Sequence, residues 1–77
     1  MDTLQRLEIV FEDTFSDSSY QFTADLTQRD IEEWDSLNQV RLLMAIEQEF
    51  KIKFDLAEME KLTGVAVISE VISNKLN

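Results

Sequence analysis

Apolar residues recur along this chain at three- and four-residue steps rather than at alternating ones, which predicts helices and no sheet. After a cap at Asp2 or Thr3, the residues Leu4, Leu7, Val10, Phe11 and Phe15 form one stripe opposite Gln5, Glu8 and Glu12. The cluster Ser16-Asp17-Ser18-Ser19 then signals a loop, and about twenty residues follow without a sustained period. So long a connection needs anchors, and Tyr20, Phe22, Leu26, Ile31 and Trp34 are placed to supply them by dropping onto the core. A second helix is predicted over Ser36–Phe50, with Asp35 or Ser36 giving the N-cap oxygen and Asp30, Glu32, Glu33 and Asp35 crowding its positive end. Lys51-Ile52-Lys53-Phe54 leaves that helix, and Asp55 with Glu58 forms a capping box for a short helix ending near Leu62, its inner side expected at Leu56, Met59 and Leu62. Beyond Thr63-Gly64, the stripe Val65, Ile68, Val71, Ile72 and Leu76 marks a last helix, with Ser69, Glu70 and Ser73 toward water. Proline is absent and Gly64 is the single glycine, so hairpin turns have no signal. The expected fold is all-α: one domain over 1–77, a small bundle of three longer helices plus one short helix, with a long loop between the first and second.

The second helix carries more apolar surface than a core uses. At 100° per residue, its apolar side chains span about 220°, whereas a core-facing stripe needs little more than 100°. Leu42, Leu43, Ile46 and Phe50 make the better core group; Leu37, Val40 and Met44 lie beside them, bordered by Arg41, Glu47 and Gln48. An apolar strip with charged neighbours and an adaptable methionine has the composition of a docking face. The alternative is that the long loop folds across the strip and buries it.

Composition narrows the chemistry. The chain has 77 residues, 44% of them hydrophobic, so one modest core is within reach and a deep catalytic cleft is not expected. Histidine and cysteine are both absent, which removes disulfides, thiol or imidazole catalysis and the usual zinc ligands. The net charge of −9 opposes binding to nucleic acid, and no apolar run approaches the roughly 20 residues of a membrane span. Without a basic region after Met1-Asp2, no signal peptide is expected, and the location implied is cytoplasmic. Charge is also uneven: residues 1–50 hold twelve acids and three bases, while the rest balance. Electrostatic recognition therefore belongs to the first two thirds.

Ser36 is the one nucleophile placed at a helix start among acids. Its plain explanation is an N-cap hydroxyl. Acyl transfer by Ser36 itself lacks a general base, since the neighbouring ionisable groups are carboxylates and the lysines begin at 51, so no catalytic residue and no metal ligand is assigned. A hydroxyl so exposed is better suited to modification by an enzyme that brings its own metal.

The run Asp30-Ile31-Glu32-Glu33-Trp34-Asp35-Ser36-Leu37-Asn38-Gln39-Val40, continued by Leu42-Leu43-Met44-Ala45-Ile46-Glu47-Gln48-Glu49-Phe50, resembles the acyl carrier proteins and their aryl, aminoacyl and peptidyl relatives. The resemblance extends over nearly the whole chain. It implies a monomeric carrier with 4′-phosphopantetheine joined to Ser36 through a phosphodiester, holding acyl, aminoacyl or polyketide intermediates as thioesters. It also implies that Asp35 helps position a phosphopantetheinyl transferase and its magnesium, and that Leu37, Val40, Arg41, Met44 and Glu47 meet partners. Those partners would be an acyl- or adenylate-forming ligase and the pathway's synthases or transferases.

Two positions depart from the fatty-acid pattern. Glu33-Trp34 stands where those carriers usually have Gly-Ala, and Arg41 occupies a position that is commonly acidic. A cation there would repel the Lys/Arg patches of fatty-acid enzymes, which favours a specialised biosynthetic pathway. Shelter for a bound chain is expected against Leu42, Ile46, Ile68 and Val71 unless side chains already fill that space. The competing function is an acidic helical adaptor that binds a basic helix and carries no covalent group; a calcium-binding loop is excluded because no Asp-x-Asp-x-Asp-Gly spacing occurs.

Overall fold

In a computed structural model the described residues are 2–16 and 18–76; Met1 at the acidic start, Asp17 of the serine cluster and Asn77 lie outside them. Four α-helices appear where the apolar periodicity places them: α1 (Thr3–Thr14), α2 (Ser36–Phe50), α3 (Leu56–Lys61) and α4 (Val65–Leu76). A 3₁₀ turn at Gln28–Asp30 interrupts the long loop. Helix α1 starts on a capping box in which Asp2 Oδ1 accepts from the Gln5 N–H at 2.8 Å and Gln5 Oε1 accepts from the Asp2 N–H at 3.1 Å. The expected box at α3 forms likewise, with Asp55 Oδ1 accepting from the Glu58 N–H at 2.7 Å. Glu58 returns the bond to the Asp55 N–H at 2.9 Å. That bond, aided by Lys75, holds the Glu58 carboxyl below its ordinary range.

The core joins Leu7, Val10 and Phe11 of α1, Leu42, Leu43, Ile46 and Phe50 of α2, and Val65, Ile68 and Ile72 of α4. Three of the loop anchors, Leu26, Ile31 and Trp34, are buried, and Tyr20 and Phe22 pack half-buried against the core. Trp34 meets Phe11 edge to face at 5.3 Å between ring centres and lies 5.8 Å from Phe15, so the residue two before Ser36 is rooted in an aromatic cluster. The Arg6 guanidinium stacks 4.2 Å over the Phe50 ring and donates to the Glu49 carbonyl at 2.7 Å, which ties α1 to the last turn of α2.

Backbone bonds fix the long loop to the opposite end of the sequence. Thr27 and Gly64 form an antiparallel bridge, with the Gln28 N–H donating to Thr63 O and the Val65 N–H donating to Leu26 O, both at 2.9 Å. Space is tight at the glycine: a Cβ on Gly64 would stand 3.2 Å from Leu26 O, closer than ordinary van der Waals contact.

Three apolar expectations are corrected. Leu4, Leu56 and Leu76 are exposed rather than core-facing. Leu4 lies in the first turn of α1 and Leu76 in the last turn of α4, beyond the packed middle of those helices, while α3 buries none of its residues and turns Leu56 outward. The short helix also stops at Lys61, one residue before the buried Leu62.

Candidate functional site

Asp35, not Ser36, caps α2: its Oδ1 accepts from the Asn38 N–H at 2.9 Å. This leaves Ser36 as the first helical residue, exposed and, among the described residues, without a hydrogen-bond partner for its hydroxyl. Of the two oxygens offered as the N-cap, Asp35 and Ser36, the helix uses Asp35, whose carboxylate satisfies the orphan N–H.

The segment leading to Ser36 is held at successive carbonyls. Asn38 Nδ2 donates to Glu33 O at 2.7 Å, and Gln28 Nε2 donates to Trp34 O at 2.8 Å. The Trp34 indole N–H in turn donates to Gln39 Oε1, while Gln39 Nε2 donates to Leu62 O at 2.8 Å just beyond α3. Gln39 is the residue of this framework that the apolar pattern alone passes over. A signal for it existed: at 100° per residue it falls in the middle of the arc formed by Leu42, Leu43, Ile46 and Phe50, where a polar side chain must find partners.

The apolar strip is open. Leu37, Val40 and Met44 are 70%, 55% and 56% exposed, so the long loop does not cover them. Arg41 is exposed beside them, and Glu47 is half-buried with Oε2 accepting from the Phe54 N–H at 2.8 Å. Between α2 and α3 runs a groove of about 330 Å³ that begins at Ser36 and is lined by Val40, Leu43, Met44, Leu56 and Met59. This gives the outward Leu56 a place: it forms the far wall of the groove. Of the residues expected to shelter a bound chain, Leu42, Ile46 and Ile68 are fully buried in the core and Val71 is half-buried.

An exposed hydroxyl at the positive end of a fifteen-residue helix suits an oxygen carrying an anionic phosphate ester, and the adjoining apolar groove suits a flexible arm. Among the described residues no helix is long and apolar enough to cross a membrane.

No protein-family model matches the chain, and no curated protein sequence matches it significantly. Among solved structures, the chain is similar to the solution NMR structure of a holo acyl carrier protein from Geobacter metallireducens. The two superpose with a TM-score of 0.85 and share 37% sequence identity, over 99% of this chain and 87% of that one.

Proposed function

This chain belongs to the acyl carrier protein family, and on that premise we propose that Ser36 carries 4′-phosphopantetheine and that the protein presents thioester-bound acyl groups to partner enzymes without catalysing their chemistry. The observation that supports this most directly is the division of labour at the head of α2, where Asp35 caps the helix and Ser36 keeps an exposed, unengaged hydroxyl. The arm supplies a thiol on a flexible tether, which keeps its cargo at high effective concentration near each docked enzyme. Leu37, Val40, Arg41 and Met44 form the docking strip, with Glu47 at its edge. The partners in this reading are a phosphopantetheinyl transferase, which Asp35 helps to position, an acyl- or adenylate-forming ligase, and synthases or transferases. Arg41, exposed on that strip, favours a specialised pathway over housekeeping fatty-acid synthesis.

The test is intact mass after incubation with coenzyme A and a broad-specificity phosphopantetheinyl transferase. The wild-type chain gains the mass of one arm and Ser36→Ala gains nothing. A wild-type chain that stays unmodified where a control carrier is loaded would return the protein to the adaptor reading.

A further inference from the structure

Two glutamines stand where the groove meets Ser36, and each is bonded on both sides of it. Gln39 accepts from the Trp34 indole N–H and donates through Nε2 to Leu62 O at 2.8 Å, with Met59 O at 3.4 Å. Its backbone N–H donates to Asp35 O at 2.8 Å. Gln28 donates through Nε2 to Trp34 O at 2.8 Å, and its backbone N–H donates to Thr63 O at 2.9 Å. Two separate routes therefore connect Trp34 and Asp35, the pair before Ser36, with Leu62 and Thr63, the pair after α3. Both glutamines are half-buried and both line the groove, so a guest entering from Ser36 meets their amides on its way to Leu43 and Met59.

The surroundings favour transmission of a push over its absorption. Trp34 is backed by Phe11 and Phe15, and close-packed rings have little room to give way. Helix α3 buries none of its residues and hangs between the buried Phe54 and Leu62, so a guest that tilts it turns the Leu62 peptide whose carbonyl Gln39 holds. Among the described residues the Trp34 indole N–H has no partner besides Gln39, and a reoriented amide is felt there first.

We infer that Gln28 and Gln39 are positioning residues that couple the filling of the groove to the setting of the segment from Trp34 to Ser36. A guest between α2 and α3 then alters how the Ser36 oxygen is presented. By linkage, a partner that fixes this segment changes the affinity of the groove for its guest by the same factor. Apolar side chains at 28 and 39 would line the groove as well and would carry no such signal. The bearing on a tethered arm rests on the carrier reading, whereas the coupling itself does not.

The chain has no cysteine, so Ser36→Cys offers a single thiol, to be capped with methyl or with hexyl methanethiosulfonate in labelled protein. The hexyl tether, and not the methyl one, should shift the methyl resonances of Leu43 and Met59. It should also shift the Trp34 indole resonance and speed exchange of its proton about tenfold. In Gln39→Met and in Gln28→Met the groove methyls should still respond, while the difference at Trp34 between the two tethers falls below about twofold. Ile68→Val, which loosens the core away from both glutamines, should keep the full response. Groove methyls indifferent to the hexyl tether would overturn the inference, as would a Trp34 proton unmoved while they shift. A Trp34 response that survives both glutamine variants, or that Ile68→Val also abolishes, would overturn it too. The tether needs neither transferase nor arm, so arm loading of the wild-type chain, read by mass, tests the carrier reading separately.

Discussion

The Trp34 indole donates to Gln39, and through the Gln39 amide the aromatic cluster is connected to the Leu62 carbonyl at the end of α3. One side chain thus links the residue two before Ser36, the first turns of α2, and the far wall of the groove. Replacing Gln39 with Ala leaves the Trp34 N–H and the Leu62 carbonyl short of partners, for an expected loss of about 1–3 kcal/mol in denaturant unfolding. Gln39→Glu keeps an acceptor for Trp34 but sets a carboxylate against the Met59 and Leu62 carbonyls, so its loss at neutral pH should be at least as large. Because Trp34 is the only tryptophan, its fluorescence reports both variants.

Asp35 and Ser36 should separate in a stability assay as cleanly as they do in geometry. Asp35→Ala removes the cap and should cost about 1 kcal/mol. Ser36→Ala removes no bond and introduces a better helix former, so its stability should stay within about 0.5 kcal/mol of wild type. Chemical denaturation of the unmodified proteins checks this; an equal cost for both would mean that the Ser36 hydroxyl shares the capping.

At Gly64 the prediction concerns space. An added Cβ would press on Leu26 O, the acceptor for the Val65 N–H, so Gly64→Ala should destabilise by about 1–2 kcal/mol despite the lower entropy of its unfolded chain. Amide exchange at Gln28 and Val65 should accelerate more than at Leu42. Uniform acceleration would mean that the strain spreads through the bundle.

Burial raises the Tyr20 pKa above its ordinary 10.0, with Glu12 and Glu8 adding to the shift. A raised folded-state pKa means that the associated stability is fully present below the unfolded value and is lost as pH climbs through the folded one. Melts from neutral to strongly alkaline pH should therefore show a late loss that Tyr20→Phe lessens. At neutral pH the same change should cost little, because the Tyr20 hydroxyl is buried without a hydrogen-bond partner among the described residues. Identical alkaline profiles for both proteins would place the titration elsewhere.

How much of this was readable in advance follows from what periodicity encodes. The phase of apolar residues located all four helices, and the surplus arc of α2 correctly marked Leu37, Val40 and Met44 as lying outside the core. Phase does not say which apolar residue of a six-residue helix faces a groove instead of the core, so Leu56 was misplaced. Nor do side-chain patterns encode bonds between main-chain groups, and the attachment of the long loop through Thr27 and Gly64 is of that kind. The motif around Ser36 was legible as a candidate site, but the capping role was ambiguous between two adjacent oxygens until the backbone placed the Asn38 N–H against Asp35.

Helix α3 buries none of its own residues and is retained by its capping box, the Glu58–Lys75 pair and the amide of Gln39. Mechanical compliance is therefore concentrated in one short wall, while α1, α2 and α4 share a close-packed interior that resists deformation. A load in the groove should therefore displace the six residues of α3 before it disturbs the mutual register of the three longer helices.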